Sequence, residues 1–225
     1  MNHQISKAKP TTILHRPAVR KLSDMAYETL AVMIRERKLK SGEAIVEQHL
    51  AEHLGLSRTP LRQALQRLEI EGLLVKSGGR SYLVRKVNVA EYLQSLRVRE
   101  ILEPEAAFLS TDRVSPRELH DARTALDSLR ATQPYDYLEH LKCDDLVHEL
   151  FIRNCSNEVM QDTLRSLRIT TQLFEIDRLT DRLDPDSREH DAILDALEQK
   201  DGKLVRRTVV AHIRSLIRSA IAAIA

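Results

Sequence analysis

Four residues in the second half of the chain combine the right types and spacing for metal chemistry: Asp144, His148, His190 and His212. Asp144 precedes His148 by one helical turn, so both side chains leave the same face of a helix. His148 shares that face with Leu141, Phe151 and Cys155. His190 heads a stripe with Ile193, Leu194 and Leu197, and His212 falls among Val205, Val209 and Leu216. Burying one neutral histidine is ordinary. Four polar groups aimed into one apolar interior, one of them a carboxylate, are costly unless something satisfies them together. A divalent transition metal does so: mixed nitrogen and oxygen ligands suit zinc first, with nickel, manganese or iron as alternatives, and positions stay open for water or a ligand carboxylate. The other histidines lack this placement. His3 and His15 lie near the N-terminus, His49 and His53 flank the stripe of Leu50 and Leu54, and His120 and His140 sit off their stripes, so all six are expected to be solvated.

A second constellation suits nucleic acid. In the segment from Arg58 to Glu71, Leu61, Leu65 and Leu68 form a buried stripe, which leaves Arg58, Thr59, Arg62, Gln63 and Gln66 on exposed faces. Arginine pairs bidentately with guanine edges and glutamine with adenine, and the N-terminal end of a recognition helix is the part that meets bases. Downstream, Lys76, Arg80, Arg85 and Lys86 flank Gly78-Gly79 and suit phosphate contact. Read alone, this basic segment is equally a solvated face.

The elements that must position these groups follow from periodicity and caps. Apolar residues at Leu22, Met25, Ala26, Leu30, Met33 and Ile34 predict a helix ending near Arg37. A short helix follows from about Glu47 to Leu54, stopped by Gly55, and a third opens at Ser57 as N-cap with Pro60 in its first turn and continues to about Glu71. Two β-prone runs around Gly78-Gly79 predict a hairpin. Beyond Asn88 six helices are expected, at about 89–111, 115–131, 135–155, 157–183, 187–200 and 202–224. Ser115-Pro116-Arg117-Glu118 supplies a capping box, and Asp184-Pro185-Asp186-Ser187 precedes the fifth. Three helices and a hairpin make a winged helix-turn-helix; six helices with short loops make an antiparallel bundle. The chain thus reads as mostly α, with a flexible basic tail at 1–21, a DNA-binding domain at 22–87 and a helical sensing domain at 88–225.

Charge agrees with that division. The chain of 225 residues carries a net +2, but residues 1–87 hold 16 basic against 8 acidic residues and residues 88–225 hold 19 against 25. A basic module for a polyanion joined to a domain with no need of one fits this split. No apolar run approaches the roughly 20 residues of a membrane span, and the N-terminal stretch lacks a secretory core, so a cytoplasmic protein without membrane contact is expected. Cys143 and Cys155, on one helix, are too far apart to pair and read as reduced packing residues.

Ala26-Tyr27-Glu28, Gly42-Glu43, the run Leu50-Ala51-Glu52-His53-Leu54-Gly55-Leu56-Ser57-Arg58-Thr59-Pro60-Leu61-Arg62-Gln63-Ala64-Leu65-Gln66-Arg67-Leu68-Glu69, and Glu71-Gly72-Leu73 resemble the N-terminal domain of the GntR family of bacterial regulators. The resemblance implies base or phosphate contacts by Arg58 and Arg62, help from Thr59 and Gln48, and a wing whose Gly79 approaches the minor groove. Gln63 departs from the Arg-Glu pair usual in the family. Residues 89–225 resemble the all-helical FCD domain of the FadR subfamily. Asp144-x-x-x-His148, Glu189-His190-Asp191-Ala192-Ile193 and His212-Ile213 match its metal-binding positions, with Val147 in place of an aromatic residue. The segment Arg99-Glu100-Ile101-Leu102-Glu103-Pro104 matches its opening helix, where an arginine can bind an effector carboxylate; Arg99 and Glu103 also form an ordinary i, i+4 pair. The resemblance implies a homodimeric regulator, a repressor before an activator, binding a palindromic double-stranded operator under control of a small carboxylate. A pure metal sensor, a hydrolytic metalloenzyme using the same Asp/His₃ site and an architectural DNA-binding protein are the rival readings.

Overall fold

A computed structural model describes residues 21–79, 81–174 and 182–224. The basic tail, Arg80 and part of the long helix expected at 157–183 lie outside the described residues. Helix α1 (Leu22–Arg35) buries Ala26, Leu30, Ala31 and Ile34, the i, i+4 stripe of the sequence. It packs on α3 (Arg58–Ile70), in which Leu61, Leu65 and Leu68 are fully buried. Each such leucine contributes roughly 1.5–3 kcal/mol relative to exposure. Between them α2 (Glu47–Leu54) ends at Gly55, whose φ of 63° is left-handed, with Leu56 N donating to Ala51 O at 3.0 Å. Ser57 occupies the N-cap position of α3, but its side chain makes no cap hydrogen bond.

The hairpin forms from β2 (Leu74–Lys76) and β3 (Ser81–Val84), and a strand that the sequence pattern does not predict joins it. This is β1 (Ala44–Val46), antiparallel to β3 with Ile45 opposite Tyr82, so the sheet order is β1-β3-β2. Three residues are too few to show a period of two; only the pairing with β3 makes them a strand.

Among the described residues six helices follow: α4 (Val89–Ser110), α5 (Pro116–Ala131), α6 (Tyr137–Asn154), α7 (Glu158–Leu173), α8 (Leu183–Glu198) and α9 (Gly202–Ile224). Caps set their starts. Asn88, Asp136 and Asn157 each accept a backbone N–H, and Ser115 with Glu118 forms the full capping box. Helix α4 is the centre of this assembly, packing on α9, α7 and α6. Two boundaries differ from expectation. Helix α7 ends at Leu173, and Phe174 turns out of it to stack on Tyr92 with ring centroids 4.2 Å apart. Helix α8 begins at Leu183, so Asp184 and Asp186 lie inside its first turn, where carboxylates complement the helix dipole. No described helix is long and apolar enough to cross a membrane.

Arg85 is a further correction. Rather than offering itself to phosphate from the wing, it bonds Thr170 Oγ1 on α7 at 3.2 Å and Gly72 O at 3.4 Å, and it also pairs with Glu91. Lys76 and Lys86 stay exposed.

Candidate metal centre and nucleic-acid interface

Helix α6 carries Asp144 and His148, α8 carries His190 and α9 carries His212. Their packing brings one ligand atom from each within 4.8 Å of every other. The three imidazoles are buried, and a quarter of the Asp144 side chain is exposed. His148 Nε2 lies 3.1 Å from His212 Nε2, and Asp144 Oδ1 lies 3.5 Å from both His148 Nε2 and His190 Nε2.

The surroundings decide which way the rings present their lone pairs. Glu103 on α4 accepts from His148 Nδ1 at 2.7 Å, and Glu189 on α8 accepts from His212 Nδ1 at 2.8 Å. An ionised carboxylate only accepts, so each Nδ1 holds a proton, which leaves Nε2 of a neutral ring as a lone pair in His212. Burial pushes Glu103 up, but the Arg99 guanidinium and His148 beside it outweigh that and hold it below the carboxylate range. Burial lowers His212 to about 4, against the opposing hydrogen bond it donates to Glu189, so the ring is neutral near physiological pH. Asp144 is likewise raised by burial but brought well below its ordinary range by Arg168 and His148. The His212 lone pair therefore faces His148 Nε2 at 3.1 Å, and the buried His190 Nε2 has no hydrogen-bond partner. A cation among them satisfies all four atoms. Ligands about 2.0–2.1 Å from a tetrahedral zinc lie roughly 3.3 Å apart, close to the 3.1 Å between the His148 and His212 nitrogens and the 3.5 Å from Asp144 to His148 and His190. The residues fit a metal.

A neighbouring group, Asp186, Glu189 and His212, is also close enough to hold a cation, but Arg182 already does so: its Nη2 bonds Glu189 Oε2 at 2.9 Å and pairs with Asp186. Glu103 and Arg182 give no signal of these long-range contacts in the sequence, and Glu189 is visible there only as the neighbour of His190. His140 is corrected as well. It is buried, with Nδ1 2.7 Å from the Tyr135 hydroxyl and Nε2 3.3 Å from Asp186 Oδ2.

A cavity of about 640 Å³, counting its open mouth, adjoins the cluster; Asp144 lines it with Arg99, Arg168, Thr171, Leu141, Leu216 and the Tyr92–Phe174 ring pair. Arg99 is buried there, with Nε bound to Glu103 at 2.6 Å and Nη1 to Thr171 Oγ1 at 3.0 Å. Its link through Glu103 to His148 makes it a positioning residue for the cluster.

In the N-terminal unit Gln48, Arg58, Thr59 and Gln63 are exposed, as are Gly78 and Gly79, whose φ values of 100° and 54° make the tight turn between β2 and β3. Arg58 and Thr59 open α3, the end a groove-reading helix presents. Arg62 differs from the free side chain that the sequence suggests. Buried Glu47 grips it with two bonds, at 2.7 and 3.2 Å, while 43% of the Arg62 side chain stays exposed. His49 and His53 are exposed, as their spacing implies.

A winged helix-turn-helix followed by a helical domain with a buried ligand-type cluster defines a class of bacterial transcription regulators. Residues 22–84 match the bacterial regulatory proteins of the gntR family, and residues 94–215 match the FCD domain. The chain belongs to the GntR family, and the relatives it matches are transcriptional regulators rather than enzymes. It is 31% identical over 128 residues to the Nta operon transcriptional regulator of Aminobacter aminovorans, a match covering 57% of this chain and 61% of that protein. It is 23% identical over 206 residues to the HTH-type transcriptional repressor RspR of Escherichia coli K12, covering 88% of each. The E. coli McbR/YncC structure shares the fold, with a TM-score of 0.75 at 21% identity over 90% of this chain and 98% of that one.

Proposed function

We propose that this regulator is a homodimeric repressor whose grip on a palindromic operator is set by a small organic acid bound at a metal centre of Asp144, His148, His190 and His212. The observation that carries the reading is the convergence of three buried imidazoles and Asp144, with the Nδ1 protons of His148 and His212 pinned on Glu103 and Glu189. When bound, a divalent ion, zinc first with nickel, manganese or iron as alternatives, supplies an electrophilic seat for a carboxylate. The chain's own residues do the rest. Glu103 and Glu189 hold the rings of His148 and His212 by their Nδ1 protons, Arg99 fixes Glu103 and lines the effector cavity, and the Tyr92–Phe174 pair gives that cavity an apolar wall.

On the DNA side, Arg58, Thr59, Arg62, Gln63 and Gln48 read the major groove, and Gly79 with Arg80 brings the wing to the backbone. Dimerisation is supported by Val98, Ile101 and Phe108, exposed apolar residues three and seven positions apart on α4. A ligand acid binding one dimer state better than the other then shifts operator affinity.

The test is operator affinity of the purified dimer with zinc alone and with zinc plus a panel of organic acids. Affinity that answers to zinc alone makes the protein a metal sensor instead. Affinity that answers to nothing removes the sensing role.

A further inference from the structure

The charged and amide groups on the cavity wall are already matched to one another. Arg99 is bound by Glu103 and Thr171, Gln172 donates to Asp145, and His140 pairs with Asp186, which Arg182 also holds. Arg168 is the exception. Its side chain is buried on α7 and lines the cavity. Its Nη2 serves both Asp144 Oδ2, at 2.8 Å, and Asp145 Oδ1, at 2.6 Å, whereas its buried Nη1 has no partner at all. A buried guanidinium N–H without an acceptor is costly, and one anionic oxygen satisfies it.

We infer that Arg168 is the anion anchor of the cavity, and that the effector is a monocarboxylate with an aromatic or hydrocarbon body. This rests on reading the helical domain as an effector sensor. The unpartnered Nη1 takes one carboxylate oxygen. Beyond it the ligand meets Leu141, Leu216 and the stacked rings of Tyr92 and Phe174, surfaces that reward apolar area, while the charge of Arg99 on the same wall is already paired with Glu103. A sugar acid or a dicarboxylate would bury polar groups there without partners.

The experiment is calorimetric titration of the full-length protein, with and without zinc, using benzoate, benzamide, succinate and gluconate as probes. Wild type is expected to bind benzoate in preference to the other three. Arg168→Gln is expected to weaken benzoate by about tenfold or more, the loss of one hydrogen bond to a buried anion, and to erase the preference for benzoate over benzamide. Arg168→Lys, which keeps the charge, retains that preference. A merely structural role lowers benzoate and benzamide together, and that result overturns the proposal. Tighter binding of succinate or gluconate, or no binding of benzoate by wild type, overturns it without recourse to a variant. Failure of the metal reading shows instead as zinc absent from wild type, whatever the benzoate discrimination.

Discussion

Arg85, at the end of strand β3, bonds Thr170 on helix α7, 85 positions later, through both terminal nitrogens at 3.2 Å. The same guanidinium reaches Gly72 O just beyond α3, so one side chain ties the end of α3 to α7, which carries Arg168 and Thr171. Coupling between sites needs such a physical link whose state both ligands bias. Thr170→Val keeps the shape and removes the acceptor. Operator binding and benzoate binding by this variant should each persist, while the effect of benzoate on operator affinity falls by about 0.5–2 kcal/mol. Titrating operator DNA by fluorescence anisotropy with and without benzoate measures this; undiminished coupling in Thr170→Val rules the link out.

Arg58→Ala and Arg62→Ala separate reading from folding. Arg58 is exposed at the start of α3, so its loss should weaken specific operator binding by about 1–3 kcal/mol with the melting temperature unchanged. Removing Arg62 strips buried Glu47 of its partner, so that variant should lose affinity and also melt earlier. Mobility-shift assays beside thermal melts report both. Operator affinity that survives both changes would falsify the DNA assignment.

His148→Ala combined with His190→Ala should abolish zinc retention through purification, read by elemental analysis. Glu189→Gln leaves all four ligands but loosens the His212 ring, and should weaken zinc by about 10–100-fold. Chelation of wild type should lower its melting temperature, since an ion bound only by the folded state stabilises it by about 2.7 kcal/mol at a hundredfold excess over Kd. Unchanged zinc content in the double variant would show that the metal sits elsewhere.

The capping box of α5 carries a pH signature distant from the metal cluster. Backbone and side-chain hydrogen bonds from Ser115 lower the Glu118 carboxyl to about 2. A carboxylate depressed in the folded state adds stability above its unfolded value and loses it as pH falls through the folded one, here from about 4.5 down through about 2. Ser115→Ala should therefore cost about 1 kcal/mol near neutral pH and progressively less across that window. Urea melts at several pH values test it, and a cost that does not change with pH would mean that the Ser115 hydroxyl takes no part in holding Glu118 down.

Much of the candidate site is legible in the sequence. A period of 3.6 residues places Asp144 with His148 on one face and puts His190 and His212 on inward stripes, because a helix makes side-chain direction a local property. The capping box at Ser115 is local for the same reason, and so is the exposed start of α3. What the tertiary structure alone decides are the meetings of side chains distant in sequence. Strand β1 exists because β3 lies beside it. Arg85 leaves the wing because Thr170 is within reach, and His140 is buried because α8 brings Asp186 against it. The partners that hold the Nδ1 protons of His148 and His212, Glu103 and Glu189, come from α4 and α8, and the unpaired nitrogen of Arg168 is defined by what every neighbouring wall group has already bonded. Periodicity says which way a side chain points; only packing says what it meets.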